Sequence, residues 1–121
     1  MELNNKPMLS AQKLKRIVSD NYSLAEKYYS IISAVNDLHL TQREIQLIAY
    51  TAIHGNMSYA NIREDFCKKY ETTPPTINNI ISKLKRLDIL IKDRGKIKVN
   101  PILLLNFSLN VVLQINLMHN E

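Results

Sequence analysis

The sequence predicts a mainly α-helical protein with one small β-hairpin and a β-strand near its C-terminus. Three observations predict this class: apolar residues recur at helical spacing, capping residues or prolines precede those segments, and the period shortens from about 3.6 to about 2 residues after Asp88. The chain has 121 residues, of which 45% are hydrophobic, so it can form one domain with its own core. Two glycines and four prolines exclude collagen-like and linker-like designs.

Residues 1–39 predict an N-terminal helical extension. A short helix is indicated by Leu14, Ile17 and Val18. A longer helix of about four turns follows, because Ser23 and Glu26 have the spacing of a capping box. Its apolar stripe consists of Leu24, Tyr28, Ile31, Ile32, Val35 and Leu38.

Two further helices are predicted in the next segment. Thr41 and Glu44 have the spacing of a second capping box, and Gly55 tolerates the left-handed conformation that ends many helices. The apolar residues between these caps are Ile45, Ile48, Ala49, Ala52 and Ile53. The following helix is predicted to begin at Ser58, with an inner face formed by Ile62, Phe66 and Tyr70.

A fourth helix and a hairpin complete this part of the chain. Thr73 is the predicted N-cap, since Pro74 and Pro75 lose no hydrogen bond in the first turn. The apolar stripe of this helix is Ile77, Ile80, Ile81, Leu84 and Leu87. Two short apolar runs around Arg94-Gly95 then predict a β-hairpin, which Asn100-Pro101 ends.

Residues 102–121 predict a β-strand tail. The odd positions of residues 105–117 are all apolar and most even positions are polar, which is the pattern of a strand with one apolar face. A strand of this length is unusual, so we expect a bend near residues 108–110. Its unpartnered face favours a homodimer or docking to a partner protein. The alternative is a two-stranded appendage that folds back on the N-terminal helices.

The net charge of +5 is concentrated in one stretch. Residues 83–98 contain seven basic and two acidic residues, and the remainder of the chain is electrically balanced. Such a local excess predicts a surface for an anionic partner. Alternatively, Lys92, Lys96 and Lys98 protect an exposed edge strand from aggregation.

Residues 40–101 resemble a winged helix-turn-helix domain, with three helices followed by a basic hairpin that ends in Asn-Pro. The segment 76–91 is similar to the recognition helix and first wing strand of transcription regulators of the multiple-antibiotic-resistance repressor type. The hairpin end also looks like that of small phage and plasmid replication-initiator proteins. The resemblance implies a mainly α fold with a small β wing, flanked by the N-terminal extension and the C-terminal tail.

The fourth helix has the polar pattern that DNA recognition requires. At 100° per residue, short polar groups lie opposite the apolar stripe near the helix start, and cations lie near its end. Amide and hydroxyl groups bind base edges, while Lys and Arg bind phosphates. Asn78 or Asn79 could bond adenine bidentately. The predicted DNA-binding residues are Thr76, Asn78, Asn79, Ser82, Lys83, Arg86, Arg94, Lys96 and Lys98.

These features predict a sequence-specific double-stranded DNA-binding protein, a small transcriptional regulator or replication accessory such as phages and plasmids encode. The alternative is a non-enzymatic architectural module of a larger assembly, such as a phage particle, in which the winged helix and tail strand dock to proteins.

Other classes of protein find no support in the sequence. The lone Cys67 and the scattered histidines predict neither a disulfide nor a metal site. Without a phosphate-binding glycine loop or a nucleophile elbow, we predict no enzyme, no cofactor and no small-molecule substrate. The sequence has no apolar stretch of about 18 residues and no signal peptide, so we expect no membrane partner. The expected location is the cytoplasm of a bacterial host, or the virion under the alternative.

Overall fold

A computed structural model describes residues 8–10 and 20–119. The elements of this part of the chain are α1 (Asn21–Val35), α2 (Gln42–His54), α3 (Ala60–Tyr70), α4 (Pro74–Arg86), β1 (Leu90–Asp93), β2 (Lys96–Val99) and a 3-10 turn (Pro101–Leu103). The mainly helical fold with a small antiparallel hairpin is therefore confirmed. The short helix predicted around Ile17 lies outside the described residues.

Helix α1 begins earlier than its sequence predicted. Asp20 is the N-cap, and its carboxylate accepts a hydrogen bond from the Ser23 amide at 2.7 Å. Ser23 therefore lies in the first turn, and the predicted capping box of Ser23 and Glu26 is wrong. The reason is that a carboxylate accepts more strongly than a hydroxyl at the positive end of a helix. This bond to the Ser23 amide also lowers the pKa of Asp20.

Helix α2 forms the centre of the core, and its predicted caps are confirmed. The Thr41 hydroxyl accepts from the Glu44 amide at 3.2 Å, and Glu44 Oε1 accepts from the Thr41 amide at 2.8 Å. Gly55 ends the helix with φ +85°. The buried residues of α2 are Glu44, Ile45, Leu47, Ile48, Ala49, Tyr50 and Thr51. Helices α1, α3 and α4 and strand β2 all contact α2.

The connection between α2 and α3 joins the hairpin. Met57 donates its amide to the Ile97 carbonyl at 2.9 Å, and Ile97 donates its amide to the Ser58 hydroxyl at 2.7 Å. Helix α3 then begins at Ala60, after an extended Tyr59. The start predicted at Ser58 is wrong. The Ser58 hydroxyl accepts a hydrogen bond from the Ile97 amide of β2, and it does not cap α3.

Helix α4 and the hairpin follow the sequence prediction closely. Thr73 is the N-cap and Pro74 the first helical residue. The predicted apolar stripe is buried except for Leu87, which caps the helix end and is 42% exposed. Arg94 and Gly95 both have positive φ, 52° and 78°. These are the signs of a type I′ turn, whose twist matches that of a hairpin.

The predicted C-terminal strand is wrong: the described residues 104–119 contain no β-strand. A turn at residues 107–109 bends the chain, near the predicted position, and Phe107 is buried beside the rings of Tyr28 and Tyr29. The Tyr29 hydroxyl also donates to the Leu103 carbonyl at 2.8 Å. Alternation creates an apolar face, but a strand also needs a neighbouring backbone for its ladder of hydrogen bonds. Here Phe107 packs against α1, and most of the side chains of residues 108–119 are exposed.

Within the described residues, no helix is both long enough and apolar enough to cross a membrane.

Candidate nucleic-acid interface

The outward face of α4 displays most of the predicted base-contacting side chains. Helix α4 is anchored by four buried apolar residues, Ile77, Ile80, Ile81 and Leu84. Its exposed residues include Thr76, Asn78, Asn79, Ser82 and Arg86. The hydroxyl groups of Thr73 and Thr76 form a hydrogen bond of 3.0 Å at the start of the helix. The structure therefore brings amide, hydroxyl and guanidinium groups together on one solvent-exposed helix face.

The hairpin carries three of the predicted phosphate-binding cations in different settings. Arg94 lies at the exposed tip of the turn. Lys96 Nζ lies 5.3 Å from the centre of the Tyr59 ring, and the proximity of the Tyr59 side chain raises the pKa of Lys96. Lys98 lies 3.5 Å from a carboxylate oxygen of Asp93, and both side chains are more than one third exposed. So exposed an ion pair is weak, and a phosphate can compete for Lys98.

Lys83 forms an ion pair with the buried Glu44. Its Nζ lies 2.8 Å from Glu44 Oε2 and 3.0 Å from Oε1, so the pair joins α4 to α2. Burial by itself would raise the pKa of Glu44. Hydrogen bonds from Lys83 and from the Thr41 amide outweigh that effect and hold this pKa below its ordinary value. Lys83 is therefore set apart from the exposed α4 face to which the sequence assigned it.

Asn78 is held by a residue that the sequence did not indicate. Arg63 Nη1 donates to Asn78 Oδ1 at 2.7 Å, and Arg63 Nε donates to the Met57 carbonyl at 2.9 Å. Arg63 lies on α3, outside the basic stretch, and no spacing in the sequence relates it to Asn78. Only the packing of α3 beside α4 shows this contact.

Two exposed cations of the basic stretch, Lys85 on α4 and Lys92 on β1, were absent from the predicted set. Their location in the stretch of excess charge was the signal that could have identified them. Tyr59, the partner of Lys96, had no comparable signal because its role depends on the fold. The acidic residues of the basic stretch are Asp88 and Asp93, both exposed.

Other kinds of site have less support. Among residues 8–10 and 20–119, no group of three or more His, Cys, Asp or Glu side chains could hold a metal ion. One cavity of about 10 Å³ lies beneath α1, with a wholly apolar lining that includes Tyr29, Ile48 and Leu103. This is about the volume of one water probe, too small for a substrate.

Comparisons of the chain with protein-family models, with curated proteins and with solved structures found no match.

Proposed function

We propose that the chain binds double-stranded DNA in a sequence-specific manner, as a small transcriptional regulator or replication accessory. In this proposal residues 40–101 form a winged helix-turn-helix domain, with α4 as recognition helix and the β1–β2 hairpin as wing. One observation carries the proposal: α4 displays an exposed polar face, and the whole charge surplus of the chain lies in residues 83–98, from the end of α4 through the hairpin that packs on it.

The dimensions and chemistry of α4 suit the major groove. Its 13 residues span about 20 Å at about 1.5 Å per residue, and a B-DNA major groove about 12 Å wide admits such a helix. Asn79 and Ser82 lie one turn apart on the exposed face and would contact base edges. Arg86, a further turn along, would bind a phosphate. Recognition helices commonly use their N-terminal residues for bases in this way.

The hairpin would bind the phosphate backbone beside the major groove. Arg94 at the tip, Lys92 on β1 and Lys96 on β2 present three cations from one short sheet. The sheet is held to the domain by Met57 and Ser58, so these cations are carried by a fixed element and not by a free loop. If the lysines of the hairpin only protected a strand edge from aggregation, the hairpin would not need these hydrogen bonds to the rest of the domain.

A homodimer is part of this proposal, since two recognition helices could then bind two half-sites. The support is the tail, where several large apolar side chains are exposed in a single chain. They include Leu109, Val112, Ile115, Leu117 and Met118. Exposed apolar groups concentrated in one segment indicate a surface that another chain covers.

The test is a fluorescence-anisotropy titration of a labelled duplex at several salt concentrations, combined with a mass measurement in solution. If about four phosphates are neutralised, the logarithm of affinity should fall with the logarithm of salt concentration at a slope of about −4. Arg86→Glu with Arg94→Glu should reduce that slope by about 2. Lys27→Glu with Lys68→Glu is the matched control, because both lysines are exposed on α1 and α3 and the charge change is identical. Absence of salt-dependent binding, or equal effects of the two double variants, would refute the proposal.

A second candidate function, architectural docking in a larger assembly, is favoured by the same exposed tail. A chain that ends at Val111 distinguishes the two, because it keeps Phe107 on α1 while it removes most of the exposed apolar residues of the tail. Under the docking hypothesis the native chain binds no duplex, and truncation abolishes its self-association or its association with the assembly partner. Under the DNA hypothesis the truncated chain keeps its salt-dependent binding but binds as a monomer.

A further inference from the structure

Helix α4 carries two adjacent asparagines whose amide groups meet different surroundings. Asn78 Oδ1 accepts a hydrogen bond from Arg63 at 2.7 Å. Arg63 is itself held by the Met57 carbonyl, so its guanidinium is fixed from two sides. Asn79 is exposed and has no hydrogen-bond partner among the residues that the structure describes. The two side chains are therefore chemically alike in sequence but not in the fold.

The contact with Arg63 determines which atoms Asn78 can offer to a ligand. A guanidinium group only donates hydrogen bonds, so the atom of Asn78 that faces it must be the oxygen. The Nδ2 group then remains for other partners, and it can only donate. Asn79 keeps both a free oxygen acceptor and a free Nδ2 donor.

Bidentate binding to adenine requires hydrogen-bonding groups that Asn78 and Asn79 do not offer equally. In the major groove adenine presents N7 as an acceptor and the N6 amino group as a donor, so bidentate recognition needs one donor and one acceptor. Asn79 can supply both. Asn78 could do so only if its Oδ1 accepted from adenine through its second lone pair while it remained bonded to Arg63, whereas its Nδ2 group is free to donate to guanine O6 and N7 or thymine O4.

We propose that Asn79 is the adenine-specifying residue of α4, and that Arg63 holds the Asn78 amide by its oxygen, so that Nδ2 is its one unengaged group. This inference rests on the proposed DNA binding and deepens it. Asn79 occupies the second turn of α4, one turn before Ser82 on the same face, near the helix end that base contacts favour. The recognised base therefore follows from which of two neighbouring amides the tertiary structure leaves free.

The experiment begins with selection of bound duplexes from a randomised library by the native chain, followed by the same selection with Asn79→Ala. We expect one adenine of the selected sequence to lose its enrichment in the variant. Replacement of that adenine should then weaken native binding by about 5- to 150-fold, the range for one bidentate pair. Asn78→Ala is the matched control, since it is the same truncation one residue away and should leave the adenine preference intact.

A modified base tests the atoms directly. A deaza-adenine, in which carbon replaces N7, removes the acceptor that the Asn79 Nδ2 group would use. It should weaken binding of the native chain and of Asn78→Ala, but it should have no effect on Asn79→Ala, which lacks the amide.

The outcomes separate the two levels of the proposal. Retention of the adenine preference by Asn79→Ala, its loss in Asn78→Ala, or an equal effect of the modified base on all three proteins would overturn the base assignment while DNA binding stands. If the native chain retains no duplex at low salt, the proposed function fails and the base assignment fails with it.

Discussion

The ion pair between Glu44 and Lys83 gives a quantitative test of how α4 is held on α2. We consider Glu44→Gln, Lys83→Met and the double variant. Glutamine keeps an oxygen that can accept from the Thr41 amide, so the first substitution removes the charge and leaves the helix cap in place. The Glu44 side chain is 7% exposed and that of Lys83 is 38% exposed. This asymmetry determines the expected magnitudes.

Breaking a fully buried pair by removal of one partner costs about 3–5 kcal/mol, whereas exposed pairs contribute about 0.2–1 kcal/mol. Lys83 can turn into solvent when Glu44 loses its charge, so Glu44→Gln should reduce the free energy of unfolding by only about 1 kcal/mol. Lys83→Met leaves a buried carboxylate without its cation and should cost about 2 kcal/mol. The double variant should cost less than the sum, because the two changes remove a single interaction.

The effect of Glu44→Gln should depend on pH in a defined direction. The folded-state pKa of Glu44 lies below its ordinary value of 4.5, so the unfolded chain binds a proton at this site more readily. The contribution to stability is then complete above about pH 4.5 and is lost as pH falls through the folded-state pKa. Urea denaturation from about pH 7 to about pH 3 measures it. Equal stability of Glu44→Gln and the native chain at neutral pH, or a difference that persists unchanged in acid, would refute this reasoning.

Three further predictions concern stability. Phe107→Ala should reduce the free energy of unfolding by about 2–3 kcal/mol, below the upper values for core phenylalanine because the residue anchors a peripheral segment; an unchanged urea midpoint would show that the tail does not stabilise α1. Gly95→Ala should cost about 1 kcal/mol through its φ of +78° alone, since a Cβ there meets nothing within 4 Å, and a stabilised variant would contradict the turn geometry. The His54 Nε2 atom lies 2.8 Å from the Tyr22 hydroxyl, and burial lowers the pKa of His54 from 6.5, so stability should fall as pH drops below that value. Urea denaturation between about pH 7 and about pH 5 should show this loss in the native chain but not in His54→Gln, and an identical slope in both would exclude His54 as its source.

Local signals in the sequence determined most of the secondary structure. The capping box at Thr41, the left-handed Gly55, the proline start of α4 and the Arg94-Gly95 turn all depend on contacts between near neighbours in the chain. Such contacts are present in the sequence itself, so they could be predicted. The amphipathic pattern likewise placed the polar face of α4 in solvent, because burial of its apolar stripe leaves the opposite face exposed.

The tertiary structure alone decided how individual polar side chains are used. Ser58 and Ile97, like Glu44 and Lys83, are 39 residues apart, and Arg63 and Asn78 are 15 residues apart. No periodic pattern encodes such pairs, because they depend on how the helices pack against one another and against the hairpin. The tail failed as a strand for a related reason: alternation specifies an apolar face, but a neighbouring backbone must complete the ladder. The sequence by itself therefore determined the helices, the hairpin and the location of the charge, and the packing decided which amides and cations remain free to bind a partner.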